Sequence, residues 1–168
     1  MIKLNLLPNN KEHYLKLLQF CEEILDACRE LTIVPILNAG LAVFAYTQNQ
    51  KMDVNDIDLA CSESDFPRLF EALEAKGIDC KVTDWHVLQA RKGDLKIEFD
   101  SVEYWMKGIP QEFDYIEIEK LRMRIIGLDG LRELYKQGMD DTQNKDDKVN
   151  KSKYKKYKQK YEQLSALG

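Results

Sequence analysis

The stretches VNDIDLAC at 54–61 and LKIEFDSV at 95–102 alternate apolar and acidic side chains with a period of two. That period marks a β-strand, in which successive side chains point to opposite faces. In the first stretch Ile57 and Leu59 face one way and Asp56 and Asp58 the other. In the second, Leu95, Ile97 and Phe99 oppose Lys96, Glu98 and Asp100. A fold built on these strands must cover one apolar face while keeping carboxylates together on the other.

The rest of the chain supplies the cover. Residues 11–31 place Tyr14, Leu17, Leu18, Cys21, Ile24, Leu25, Cys28 and Leu31 at helical spacing, which predicts an amphipathic helix. A short apolar run, 32–37, leads through Asn38-Ala39-Gly40 into a second helical stretch at 41–46, followed by a polar loop at 47–55. Ser62, Ser64 and Asp65 are N-cap candidates for a helix over 65–76 that Gly77 stops. Strands are predicted at 79–83 and 87–91, with Lys92-Gly93-Asp94 as a hairpin turn into 95–102. Residues 103–120 read as irregular, 121–126 as a strand, 128–135 as a helix and 146 onward as a lysine- and tyrosine-rich helix. Strands alternate with helices first and pair as hairpins later, so the fold class is α/β, with a mixed sheet of about five strands flanked by helices. The expected organisation is one domain over 1–144 and a C-terminal helix over 145–168.

A chain of 168 residues with 44% hydrophobic and 32% charged residues has the apolar mass for a real core. No apolar run approaches a membrane span, and MIKLNLLPNN carries no signal-peptide pattern. Cys21, Cys28, Cys61 and Cys80 share no metal-ligand spacing and sit in apolar contexts, as reduced core cysteines of a cytoplasmic protein would. His13 and His86 have no Cys or His partner at ligand spacing and read as structural or exposed, and Trp85 and Trp105 read as core or rim. The net charge is −4, yet residues 145–160 carry eight lysines against two aspartates. Tyr154, Tyr157, Tyr161 and Leu164 recur at spacings of three and four, which docks that helix with its lysines in water. The other reading of the segment is a basic surface making weak nucleic-acid contact.

Ala39-Gly40 opens a helix shortly before the first acidic strand. A small residue plus glycine at a helix N-terminus lets backbone amides approach a phosphate, and the helix dipole favours the anion. Two carboxylates on one strand and a third on another form a hard-oxygen set suited to Mg²⁺, which shares its shell with substrate phosphates. Clustered acids repel one another, and a cation gives them a reason to coexist.

Ala39-Gly40-Leu41-Ala42, Asn55-Asp56-Ile57-Asp58-Leu59 and Ile97-Glu98-Phe99 resemble, in order and spacing, the three motifs of the nucleotidyltransferase fold superfamily related to DNA polymerase beta. Those motifs are a G-G or G-S helix start, h-D-h-[DE]-h, and a later h-[DE]-h. The likeness is greatest to the minimal bacterial nucleotidyltransferases and extends over residues 33–137. It implies transfer of a nucleoside monophosphate from an NTP to a hydroxyl of an unknown acceptor (small molecule, protein or RNA), with Mg²⁺ or Mn²⁺. It implies metal binding by Asp56, Asp58 and Glu98, or Asp100, and a triphosphate site at Ala39, Gly40 and Asn55 with Lys51 or Lys136 as charge partners. Ala39 departs from the motif's first glycine, and Lys51, Met52 and Asn55 stand where many relatives carry an arginine and a Ser or Thr. Two alternatives stay open: a catalytically degenerate nucleotidyltransferase that binds nucleotide or a partner, and a nucleic-acid-binding module working through the basic tail.

Overall fold

A computed structural model describes residues 1–168. Its elements are β1 (Ile2–Lys3), α1 (Lys11–Glu30), β2 (Ile36–Asn38), α2 (Ala39–Thr47), β3 (Ile57–Cys61), α3 (Phe66–Ala75), β4 (Asp79–Val82), β5 (Val87–Lys92), β6 (Leu95–Ser101), α4 (Val102–Trp105), β7 (Phe113–Ile118), β8 (Leu121–Ile126), α5 (Leu128–Thr142) and α6 (Lys148–Ser165). The strands form one mixed sheet in the order β1-β7-β8-β2-β3-β6-β5-β4. It has eight strands rather than about five. The difference lies at β1 and β2, which are too short to show a period, and at β7, which falls with α4 inside the segment expected to be irregular. The β7–β8 hairpin turns through Glu119 at φ 51°, with no glycine or asparagine to announce it. Helix α5 also runs to Thr142, one to two turns past the expected end.

The apolar face follows from register. Leu37 pairs with Leu59, Leu59 with Phe99, and Phe99 with Leu88, and all four are fully buried. Helix α1 packs on β6 and α3, and α3 on β4 and β5. On α1, Leu17, Cys21, Ile24 and Cys28 recur at three and four residues and lose all or nearly all solvent contact. Burying a Leu or Ile side chain contributes roughly 1.5–3 kcal/mol. The acidic face instead lies beneath α5 and α6.

Two positions tie the helices to that face. Ala39, the first residue of α2, has φ 50°, the left-handed region that an L side chain enters at a cost of about 1–2 kcal/mol. On α5, a Cβ at Gly138 would come within 2.9 Å of the Tyr157 ring, so α6 packs where only glycine leaves room. The tyrosine stripe of α6 therefore docks, Leu164 reaches the core with no exposure, and Arg132 donates from Nε and Nη2 to the Leu164 carbonyl at 3.2 and 2.9 Å.

Opposite effects of a single methyl group are expected at these two sites. Ala39→Gly relieves the left-handed strain and should raise stability in chemical denaturation by about 0.5–1 kcal/mol, because glycine's own entropy cost offsets part of the gain. Gly138→Ala improves helix propensity yet overpacks Tyr157, so it should destabilise by about 1–3 kcal/mol. A more stable Gly138→Ala protein would mean that α6 does not pack this closely.

Candidate active site

Asp56 ends a loop that is pinned from both sides. The Asn10 side chain donates to the Val54 carbonyl at 2.8 Å and accepts from the Val54 amide at 2.9 Å, in the manner of one strand rung. His13 Nε2 lies 3.0 Å from the Asn55 carbonyl oxygen, and Val54 is buried. The fixed loop delivers Asp56 to the mouth of β3, and Asp58 follows two residues on, on the same face.

Register then assembles the cluster. Asn38, Asp58, Glu98 and Gln89 are paired neighbours across β2, β3, β6 and β5 and form one row on the acidic face. One oxygen from each of Asp56, Asp58 and Glu98 lies within 4.8 Å of the others. Gln89 Nε2 donates to Glu98 Oε2 at 2.9 Å, and Lys96 bridges Asp56 Oδ2 at 3.4 Å and Glu98 Oε1 at 3.2 Å. Asp100 sits one step further along β6, opposite Ala60.

Burial and mutual repulsion raise two of these acids. Asp58 is pushed well above the usual carboxylate range, first by burial and then by Asp56, Asp100 and Glu98, while Lys160 opposes the rise. Asp100 is raised to about 7 by burial and the Glu98 charge, against the Asn38 side chain, which favours its ionised form.

The donor set fits a small hard cation. Ligand oxygens about 2.1 Å from one ion lie at most about 4.2 Å apart, so three carboxylates already within 4.8 Å need only slight side-chain adjustment. All donors are oxygen, as Mg²⁺ or Mn²⁺ prefers.

Beside the cluster, a cavity of about 400 Å³ lies between the sheet, α5 and α6, and Glu98 is the member of the close group that lines it. Asn38, Ala39, Glu98 and Asp100 line its floor, Tyr135 and Gly138 one wall, Lys153, Tyr157 and Lys160 another, and Trp85 and Trp105 its rim. The exposed rim tryptophans are tied together, Trp105 Nε1 donating to the Trp85 carbonyl at 2.8 Å. His86 is outside the cluster: its Nδ1 lies 3.0 Å from Glu63 Oε1 and its ring stacks on Tyr104.

Ala39 and Gly40 open α2 next to Asn38, the strand partner of Asp58, and Ala39, Glu98 and Asp100 line the cavity. Asn55 turns its side-chain oxygen to Asn10 Nδ2 at 3.3 Å. Lys51 and Lys136 are exposed and do not line the cavity; the lysines brought to the site are Lys96, Lys153 and Lys160. Sequence reasoning missed these three, as it missed Asn38, Gln89 and Tyr135. A signal existed for Lys160, which is three residues after Tyr157 and four before Leu164, on the docked side of α6.

No protein-family model matches the chain, and no curated protein matches it by sequence. Solved structures do match. A solution structure of the antibiotic-resistance factor ANT(2'')-Ia superposes with a TM-score of 0.60 at 17% identity, over 89% of this chain and 87% of that one. A crystal structure of ANT(2'')-Ia with adenylyl-2''-tobramycin gives 0.57 at 15%, over 89% and 95%. The lincomycin-bound lincosamide antibiotic adenylyltransferase gives 0.50 at 12%, over 88% and 96%. At such identities the likeness is one of fold.

The raised acids set a pH dependence. An acid whose pKa is higher folded than unfolded keeps its proton in the folded state after the unfolded chain has released it, so stability falls as pH rises. For Asp100 the window opens near the unfolded value of about 4 and closes at about 7. Metal-free protein should therefore lose stability in thermal melts between about pH 4 and about pH 7, and Asp100→Asn should flatten that loss. An unchanged slope in Asp100→Asn would show that Asp100 is not the titrating group.

Proposed function

We propose that this chain, which has the nucleotidyltransferase fold, is a divalent-metal-dependent nucleotidyltransferase that moves a nucleoside monophosphate from an NTP to a hydroxyl of a separate acceptor. The observation that carries the reading is the convergence of Asp56, Asp58 and Glu98 oxygens within 4.8 Å, beside the N-terminus of α2. The solved structures of like fold include an adenylyltransferase and a complex with an adenylylated antibiotic, which supports the same class of reaction here.

Asp56, Asp58 and Glu98 would hold Mg²⁺ or Mn²⁺, which when bound polarises the phosphoryl oxygens and offsets negative charge during transfer. Lys96, paired with Asp56 and Glu98, holds those carboxylates in place and lowers their repulsion. Ala39 lines the cavity, and the free amides at the N-terminus of α2 suit the phosphate chain. Leaving and entering oxygens stand in line across the phosphorus, so a leaving pyrophosphate at α2 puts the acceptor on the far side of β3, over β6 and β5. That side carries Asp100, Val87 and the Trp85–Trp105 rim, which supports a small-molecule acceptor with a face that can lie on indole.

A second reading, a nucleotide-binding protein without catalysis, draws on Ala39, whose methyl group occupies a strained backbone position at the phosphate end.

The discriminating experiment incubates purified protein with labelled NTPs, Mg²⁺ or Mn²⁺ and a panel of hydroxyl-bearing small molecules. Metal should tighten NTP binding, and Asp56→Asn with Asp58→Asn should remove that effect while leaving the melting curve cooperative. Glu98→Gln should weaken metal binding at least tenfold, about 1.4 kcal/mol, with Asp100→Asn much milder, since Glu98 rather than Asp100 completes the close group. NTP binding indifferent to metal and to these variants would sink the catalytic reading.

A further inference from the structure

The carboxylate cluster carries a cation of its own. Lys96 and Glu98 lie two residues apart on β6 and share its acidic face. The Lys96 ammonium stands 3.2 Å from Glu98 Oε1 and 3.4 Å from Asp56 Oδ2, so it bridges two of the three carboxylates in the close group. Burial works against this charge, yet the Glu98 and Asp56 carboxylates outweigh it and hold the ammonium pKa above its ordinary value. Lys96 is therefore a cation at neutral pH.

Strand order decides which oxygen of Glu98 it meets. β6 lies between β5 and β3. Gln89, the neighbour of Glu98 on β5, donates to Oε2 at 2.9 Å and holds that oxygen on the β5 side. Oε1 is left for the β3 side, where Asp58 is the strand partner and Asp56 precedes it. A metal ion held by Asp56, Asp58 and Glu98 would thus draw on an oxygen that the ammonium contacts. The Glu98 side chain is only 14% exposed, which leaves it little room to turn away. An ammonium and a divalent ion on the same oxygens repel each other, and a small ion also needs its own close shell of ligands.

We propose that Lys96 is a tethered competitor of the metal ion: a divalent ion entering among Asp56, Asp58 and Glu98 displaces the Lys96 ammonium, and this exchange makes the site reject monovalent cations. The inference rests on the reading that these three carboxylates hold Mg²⁺ or Mn²⁺. A tethered ammonium is present at high effective concentration. A free monovalent ion would only replace one unit charge with another, whereas a divalent ion brings a second charge. In the metal-free chain Lys96 keeps the acids together, and after the exchange its side chain turns outward, where it is already 30% exposed. Lys96 is a specificity-determining residue that acts through the metal ligands, not a catalytic residue.

The test reads metal binding and the amine itself, without NTP. Full-length protein is titrated calorimetrically with Mn²⁺ in tetramethylammonium chloride, and again in KCl at the same ionic strength. Lys96→Met should bind Mn²⁺ at least about tenfold tighter than the unaltered chain in the tetramethylammonium salt, because no unit charge has to leave. Lys96→Arg should stay near the unaltered value, and Lys92→Met, an exposed lysine paired with Glu23, should change little. K⁺ should weaken Mn²⁺ binding several-fold in Lys96→Met and leave the unaltered chain unaffected. In the unaltered chain, limited acetylation followed by mass spectrometry should label Lys96 faster with Mn²⁺ than without, with Lys92 as the reference. Equal or weaker Mn²⁺ binding in Lys96→Met overturns the proposal, as does equal competition by K⁺ in the two proteins. Labelling of Lys96 that is unchanged or slowed by Mn²⁺ also overturns it, since the ammonium then stays beside the ion. If neither protein binds Mn²⁺, the proposal falls together with the metal reading; if both bind it alike, the proposal alone falls.

Discussion

The parallel pairing of β3 with β6 is the constraint on which the site depends. Its register sets Ile57 beside Ile97 and Leu59 beside Phe99, burying all four, and so has no freedom to slip. A one-residue shift would turn every apolar side chain outward. The same register places Asp58 beside Glu98, like charges on adjacent strands, a pairing that ordinarily destabilises a sheet. The apolar face therefore enforces what the acidic face resists. Lys96 and Gln89 relieve part of the strain at Glu98, while Asp58 is raised first by burial and then by the neighbouring carboxylates.

The half of the fold that alternates with period two was legible in the sequence, because period two is what a one-sided sheet imposes. The stretches at 54–61 and 95–102 stand as β3 and β6 within a residue or so at the β6 end and three at the β3 start. The strands that escaped are those held by partners rather than by their own pattern. β1 is two residues that pair with Ile116 and Glu117, and β2 is three residues enclosed between β3 and β8. Neither is long enough to display a period. In β7 the apolar set Ile116 and Ile118 is brief, and the turn at Glu119 lacks its usual residues. The acids of the site were readable for the same reason as their strands, but the cations were not. Lys96 shares a strand face with Glu98, but its contact with Asp56 crosses to another segment, and Lys160 stands in a helix more than a hundred residues beyond Asp56, so no local spacing encodes those contacts with the first acid.

Helix α6 illustrates how a correct pattern can hide a second meaning. The spacing of Tyr154, Tyr157, Tyr161 and Leu164 defines a docked face, and a tally of eight lysines around it suggests a solvated opposite face. Most of those lysines are exposed. A long side chain at the margin of a docked face can nevertheless run inward along apolar surface and deliver its charge at the far end. Lys160 does this along the Tyr135 ring.

The site and the docking of α6 are consequently one structural problem. Lys160 reaches the cavity only while Tyr157 lies in the space that Gly138 leaves, and while Arg132 holds the carbonyl end of α6 at Leu164. Local opening of a terminal helix costs less than global unfolding, so the α5–α6 contact is the element most readily lost. Its loss would expose the acids to water, lower the repulsion that solvent screens, and withdraw the one cation aimed at the start of α2. A ligand that filled the cavity against α6 would act in the other direction, since binding only the docked state stabilises it. Occupancy of the cavity and order of the C-terminal helix thus reinforce each other, with the sheet register as the fixed part and α6 as the part that responds.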